Sequence, residues 1–82
     1  MQPILLLSNP VKNNTISLQA NITGILQVNI YNLKGQELLK TTINNTATGA
    51  RHSLSLPTVK SGMYILHVTD VRNRYSFKVL LQ

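Results

Sequence analysis

The chain reads as all-β, a small antiparallel immunoglobulin-like β-sandwich of six to seven strands. Three observations predict it. Apolar and polar residues alternate with period two from residue 15 to the chain end, turn-type residues break that alternation at intervals of roughly 8 to 12 residues, and no stretch of a dozen residues carries helical i, i+3, i+4, i+7 spacing. The uneven strand lengths favour a sandwich over a closed barrel.

The first alternating segment is "TISLQA", which sets Ile16 and Leu18 on one face. "LQVNIYNL" repeats the pattern, with Leu26, Val28 and Ile30 opposed by Gln27, Asn29 and Tyr31. "NLKGQ" then supplies a hairpin signal, because Gly35 takes positive φ without steric cost, and "QELLKTTI" is the returning strand. "NNTATGA" reads as a loop, since Asn and Thr hydrogen-bond their own backbone and Gly tolerates unusual dihedrals. "RHSLSL" resumes the alternation until Pro57, which cannot donate to a sheet ladder. "SGMYILHVTD" and "YSFKVLLQ" are the last two strands, separated by the turn "VRNR". Together these segments predict a core of Ile16, Leu18, Val28, Ile30, Leu54, Leu56, Tyr64, Leu66, Val68, Phe77 and Val79.

Eighty-two residues make one domain with a thin core, burying roughly 60 to 65% of the unfolded surface. With 43% hydrophobic and 12% charged residues, the chain is too apolar to be a disordered tail. The apolar run "ILLL" is too short for a membrane span or the core of a signal peptide, so no transmembrane segment is expected. The absence of cysteine removes disulfides, thiolate metal sites and cysteine nucleophiles together.

Eight Lys and Arg against Glu37 and Asp70 give a net charge of +6, which invites a polyanionic partner. The cations are dispersed along the chain, with one local cluster at "VRNR" and Lys78. A surface for single-stranded nucleic acid interleaves such cations with stacking aromatics, and this chain has only three tyrosines and one phenylalanine. Tyr64 and Phe77 share faces with aliphatic neighbours and read as core, so no nucleic-acid partner is expected.

Catalytic readings find little support. His52 and His67 are the only side chains with an unperturbed pKa near neutrality, and a partly exposed strand histidine accounts for His67. Two histidines and two carboxylates scattered in sequence do not make a zinc site, and Glu37 with Asp70 is the one carboxylate pair a glycosidase could use. No G-x-S-x-G elbow or phosphate-cradling glycine loop occurs. The sequons at Asn13, Asn21 and Asn44 are what asparagine-rich turns produce by chance. No enzyme activity, metal or cofactor is implied.

Four segments point further. "SNPVKN", "VNIYNLKGQELL", "LSLPTVKSGMYILHV" and the terminal "FKVLLQ" together resemble the type A C-terminal sorting domain of the type IX secretion system in Bacteroidetes, over residues 8–82. Asn9 and Pro10 match the end of the family's opening Tyr-Pro-Asn-Pro, whereas Leu7 and Ser8 depart from its start. Tyr31, Asn32, Leu33, Gly35 and Gln36 meet the most specific segment in order, and Gly62 with Tyr64 hold the positions of a Gly-x-Tyr strand. Val59, Lys60 and Ser61 stand where relatives commonly have Leu-Pro-Ser.

The resemblance implies a secretion and sorting signal on a larger cargo protein that passes through the periplasm to the cell surface or medium. Its partners would be the type IX translocon and a sortase-like peptidase that removes the domain, with lipopolysaccharide as the attachment point of the cargo. The residues expected to face the translocon are Gly62, Tyr64, Phe77, Lys78, Val79, Leu80, Leu81 and Gln82. Residues 1–7 read as a linker or cloning remnant leading into the first strand. The competing reading is an immunoglobulin-like adhesion or carbohydrate-binding accessory domain. A sugar-binding face needs a planar aromatic row, for which the chain offers no Trp and only Tyr31 and Tyr75.

Overall fold

The computed structural model describes residues 3–7, 11–57 and 59–82. Seven strands occur in the order β1 Ile4–Leu6, β2 Thr15–Ala20, β3 Gly24–Tyr31, β4 Glu37–Asn45, β5 Ala50–Ser55, β6 Gly62–Thr69 and β7 Arg74–Leu81. All strand pairings between them are antiparallel. They form a three-stranded sheet ordered β1-β2-β5 and a four-stranded sheet ordered β4-β3-β6-β7. The shorter extents of 21 and 20 Å suit two sheets stacked face to face. The fourth strand joins the sheet of its hairpin partner β3, as the extra strands of variable-type immunoglobulin sandwiches do.

Period two decides which side chains are buried. Ile16 and Leu18 on β2, Leu26, Val28 and Ile30 on β3, and Leu66 and Val68 on β6 are at most 1% exposed and fill the space between the sheets. Fully burying one such aliphatic side chain contributes about 1.5 to 3 kcal/mol relative to leaving it in water. Ile4, Val11, Ala20 and Leu81 complete the core with Leu54, Tyr64 and Val79.

Two expected core residues need correction. Leu56 and Phe77 are half-buried and pack against the margin of the core. Leu56 lies beyond the end of β5, held by its N–H to the Asn14 carbonyl at 2.8 Å. Phe77 lies on β7, the outermost strand of its sheet, away from the Val11 bridge at Leu81, so its sheet covers it from one side only.

Strand β1 was not marked by alternation. Its three residues pair with Leu18, Gln19 and Ala20, and the flanking bonds Leu7 N–H to Ser17 O and Asn21 N–H to Pro3 O, both 2.8 Å, extend the ladder. β4 runs into the segment expected as loop and ends at Asn45, which is 1% exposed. Its side chain is the reason. Asn45 Nδ2 donates to the carbonyls of Ile22 at 2.6 Å and Ala20 at 3.3 Å, and its Oδ1 lies 3.0 Å from His52 Nε2, tying the end of the four-stranded sheet to β2 and β5.

Candidate functional site

The residues expected to carry recognition converge on one two-stranded ribbon. β6 and β7 pair so that Gly62 stands opposite Leu81, Tyr64 opposite Val79, Leu66 opposite Phe77 and Ile65 opposite Lys78. Sequence positions some fifteen residues apart thereby become neighbours.

β7 is last in the strand order, and its far end is clamped by a single residue of another segment. Val11 N–H donates to the Leu80 carbonyl at 2.7 Å, and Gln82 N–H donates to the Val11 carbonyl at 2.9 Å. The bridge between Val11 and Leu81 is parallel. Val11 itself is 1% exposed, so the clamp combines two backbone bonds with a buried side chain. Leu80 to Gln82 are therefore held in register, which an unpaired segment would not be. Val79 and Leu81 point into the core, while Ser76, Lys78, Leu80 and Gln82 are exposed. The eight expected residues thus divide. Gly62, Tyr64, Val79, Leu81 and half-buried Phe77 build the ribbon, and Lys78, Leu80 and Gln82 are what it presents outward.

Tyr64 and Gly62 have structural tasks. The Tyr64 hydroxyl donates to the Lys60 carbonyl at 2.7 Å, four residues upstream at the corner between β5 and β6. This is the tyrosine corner of immunoglobulin-like sandwiches, in which a tyrosine near the start of this strand ties the crossing chain to its own sheet. Gly62 has φ +150°, and a Cβ built there meets nothing within 4 Å. Of the two requirements that glycine can satisfy, this position needs the dihedral and not the close approach.

The specific "YNLKGQ" segment is a hairpin closed by Asn32. Its Oδ1 accepts from the N–H groups of Lys34 at 2.9 Å and Gln36 at 3.0 Å, and its Nδ2 donates to Gln36 Oε1 at 2.8 Å. Gly35 takes φ +87° in this turn, as the sequence predicts. The spacing Asn-x-x-Gly-Gln is thus a side-chain template for one hairpin. Beside it, Tyr31 and His67 place their rings 5.2 Å apart at 56° on the outer face of the four-stranded sheet. They line a shallow concavity of about 340 Å³ with Asn32, Leu33, Gly35 and Ile65.

Among the described residues, Glu37, Asp70 and His52 stand apart from one another. Glu37 lies at the β3–β4 end of its sheet, where Oε1 accepts from Asn29 Nδ2 at 2.5 Å. Asp70 lies at the opposite end, in the β6–β7 turn. Its Oδ1 accepts the N–H groups of Asn73 and Arg72, and these bonds, Asn73's first, lower its pKa below the usual carboxylate value. His52 is engaged with Asn45 on the inner side. Among the described residues, no three His, Cys, Asp or Glu lie close enough to hold a metal.

Sequence reasoning missed Val11, Asn45 and β1. Val11 follows Pro10 in sequence, and nothing in the local pattern announces a one-residue bridge. The motif residues Ser8, Asn9 and Pro10 lie outside the described residues, as does Thr58.

A family model described as "Secretion system C-terminal sorting domain" matches residues 8–82. Among solved structures, the crystal structure of dimeric latent PorU from Porphyromonas gingivalis is similar in fold, with a TM-score of 0.64 and 14% sequence identity. The match covers 95% of this chain and 9% of that one. No curated protein matches the chain in sequence.

Proposed function

The chain belongs to the family of secretion-system C-terminal sorting domains, and from that premise we propose that its β6–β7 ribbon is the element by which the type IX translocon takes hold of a larger cargo. The carrying observation is the clamped end of β7. A segment read by a receptor needs one reproducible conformation, and the Val11 bridge holds Leu80 to Gln82 in one. Ordering entropy is then spent in folding the domain and not again at recognition. Lys78, Leu80 and Gln82 make the contacts, while Gly62, Tyr64, Phe77, Val79 and Leu81 support them from behind.

The cargo passes through the periplasm to the surface or medium, where a sortase-like peptidase severs the domain and lipopolysaccharide receives the cargo. The paired strand β1, with Ile4 only 3% exposed, belongs to the folded module in this reading. A cut that leaves the sandwich intact falls before Pro3.

Fusion of residues 1–82 behind a periplasmically targeted reporter, in a bacterium with type IX secretion, tests the assignment. The intact fusion is exported. Removal of Lys78 to Gln82 traps the reporter, but it also deletes the core residues Val79 and Leu81. The decisive variant is therefore Lys78→Ala combined with Leu80→Ser, which alters exposed positions only. It weakens export while leaving the melting temperature close to that of the parent. Full export of this variant would place the recognised surface elsewhere on the domain.

A further inference from the structure

Folding gathers what the sequence disperses. Six large apolar residues are exposed among the described residues, and five of them, Ile25, Leu33, Met63, Val71 and Leu80, lie on the outer face of the four-stranded sheet or on its two hairpin turns. The register places cations on the same face. Lys40 is opposite outward-facing Asn29, Lys78 opposite Ile65 and Arg74 opposite Thr69. The outer face of the three-stranded sheet carries Arg51 as its one strand cation, among Ser, Thr, Gln and half-buried Leu5.

The two turns repeat one pairing. The β3–β4 turn presents Leu33, 68% exposed, followed by Lys34, and the β6–β7 turn presents Val71, 93% exposed, followed by Arg72. Antiparallel pairing of β3 with β6 puts these turns at opposite ends of one sheet. The face therefore has an aliphatic–basic tip at each end and cations between them. Both carboxylates of the chain lie on this sheet too, with Glu37 bonded to Asn29 and Asp70 to its own turn.

We propose that this face lies on an anionic lipid surface, with Leu33 and Val71 entering the headgroup layer and Lys34, Arg72, Lys40 and Arg74 meeting lipid phosphates. The geometry favours a planar partner over an enclosed one. The concavity on the face is shallow, and the two tips are separated by the length of the sheet, so one small anion cannot reach both. Aliphatic side chains next to cations are the combination that interfacial binding uses, because burial of the apolar group and attraction to phosphate act at the same depth. An acidic protein surface would use the cations and leave the exposed aliphatic tips unexplained.

The inference does not rest on the sorting role, and purified lipids test it separately. The full 82-residue chain is sedimented with phosphatidylcholine vesicles, with and without phosphatidylglycerol, at physiological salt. Partition to the anionic vesicles is expected to exceed that to neutral ones by about tenfold or more. Lys34→Gln with Arg72→Gln weakens it by about tenfold, since each basic residue near the surface contributes several-fold. Leu33→Ser with Val71→Ser weakens it several-fold at unchanged charge. Arg51→Gln removes one charge from the outer face of the opposite, three-stranded sheet and leaves partition within about twofold. Far-UV circular dichroism checks that every variant keeps the sheet spectrum. The proposal is overturned if Arg51→Gln weakens partition as much as Lys34→Gln alone does, or if the serine pair has no effect. Absence of partition, with or without binding to an acidic polypeptide such as polyglutamate, overturns it as well.

Discussion

Asn45 on β4 and His52 on β5 join the two sheets through a 3.0 Å contact between Oδ1 and Nε2. The Asn45 amide is oriented by its other bonds, because Nδ2 donates to the Ile22 and Ala20 carbonyls. Its oxygen must then face His52, and the histidine carries its proton on Nε2 to complete the bond. Replacing Asn45 with Ala deprives two carbonyls of a donor and His52 of its acceptor. Asn45→Ala is expected to cost about 2 to 3 kcal/mol, and His52→Ala about 1 kcal/mol. Urea unfolding of both variants and the double mutant measures the coupling, and an Asn45→Ala loss within about 0.5 kcal/mol, the range of an ordinary surface change, would exclude a cross-sheet tie.

Tyr64→Phe keeps the ring that packs opposite Val79 and removes only the hydroxyl that reaches Lys60 O. The expected loss is about 1 kcal/mol, that of one hydrogen bond at a partly solvated corner. Tyr64→Ala also empties core volume and should lose about 3 to 5 kcal/mol, by analogy with other aromatic truncations. Equal losses in the two variants would show that the hydroxyl carries more than the ring.

Gly62→Ala tests backbone strain without a clash, since the added methyl meets nothing within 4 Å while φ stays at +150°. We expect destabilisation of about 1 to 3 kcal/mol, with Gly62→Val falling in the same range. The linear slope of free energy against denaturant should not change. A rise in stability on Gly62→Ala, the usual result where glycine has no special dihedral, would contradict this account.

Asp70 gives the stability a defined acid dependence. Its pKa is lowered from 3.8 chiefly by the Asn73 N–H and then by that of Arg72. The ionised form is thus favoured by folding, so its contribution is complete above 3.8 and disappears as pH falls through the lowered native value. Melting temperatures of the parent and Asp70→Ala should differ at neutral pH and converge on acidification to about pH 2. A constant difference across that range would mean that the turn is held by something other than the carboxylate. The carboxylate sits in a solvated turn, so the difference should be small.

The all-β class, six of the seven strands and most of the core were legible in local residue pattern. Period-two alternation is local, and each of Ile16, Val28, Leu66 and Val79 declares its buried face through its immediate neighbours. The hairpin at Asn32 to Gln36 was legible for the same reason, because its side-chain bonds close within five residues. Tertiary structure decided everything that depends on one segment meeting another. β1 is three residues long, too short to show a period, and exists because β2 offers it an edge. The Val11 clamp and the Asn45 tie join residues far apart in the chain, and nothing in their local surroundings encodes those partners. Half-buried Phe77 illustrates the limit most simply. Alternation fixes which way a side chain points, but how deeply it is covered depends on whether its strand has a neighbour on both sides at that position, as β7 has at the Val11 bridge and lacks at Phe77, and strand pairing is a property of the whole fold.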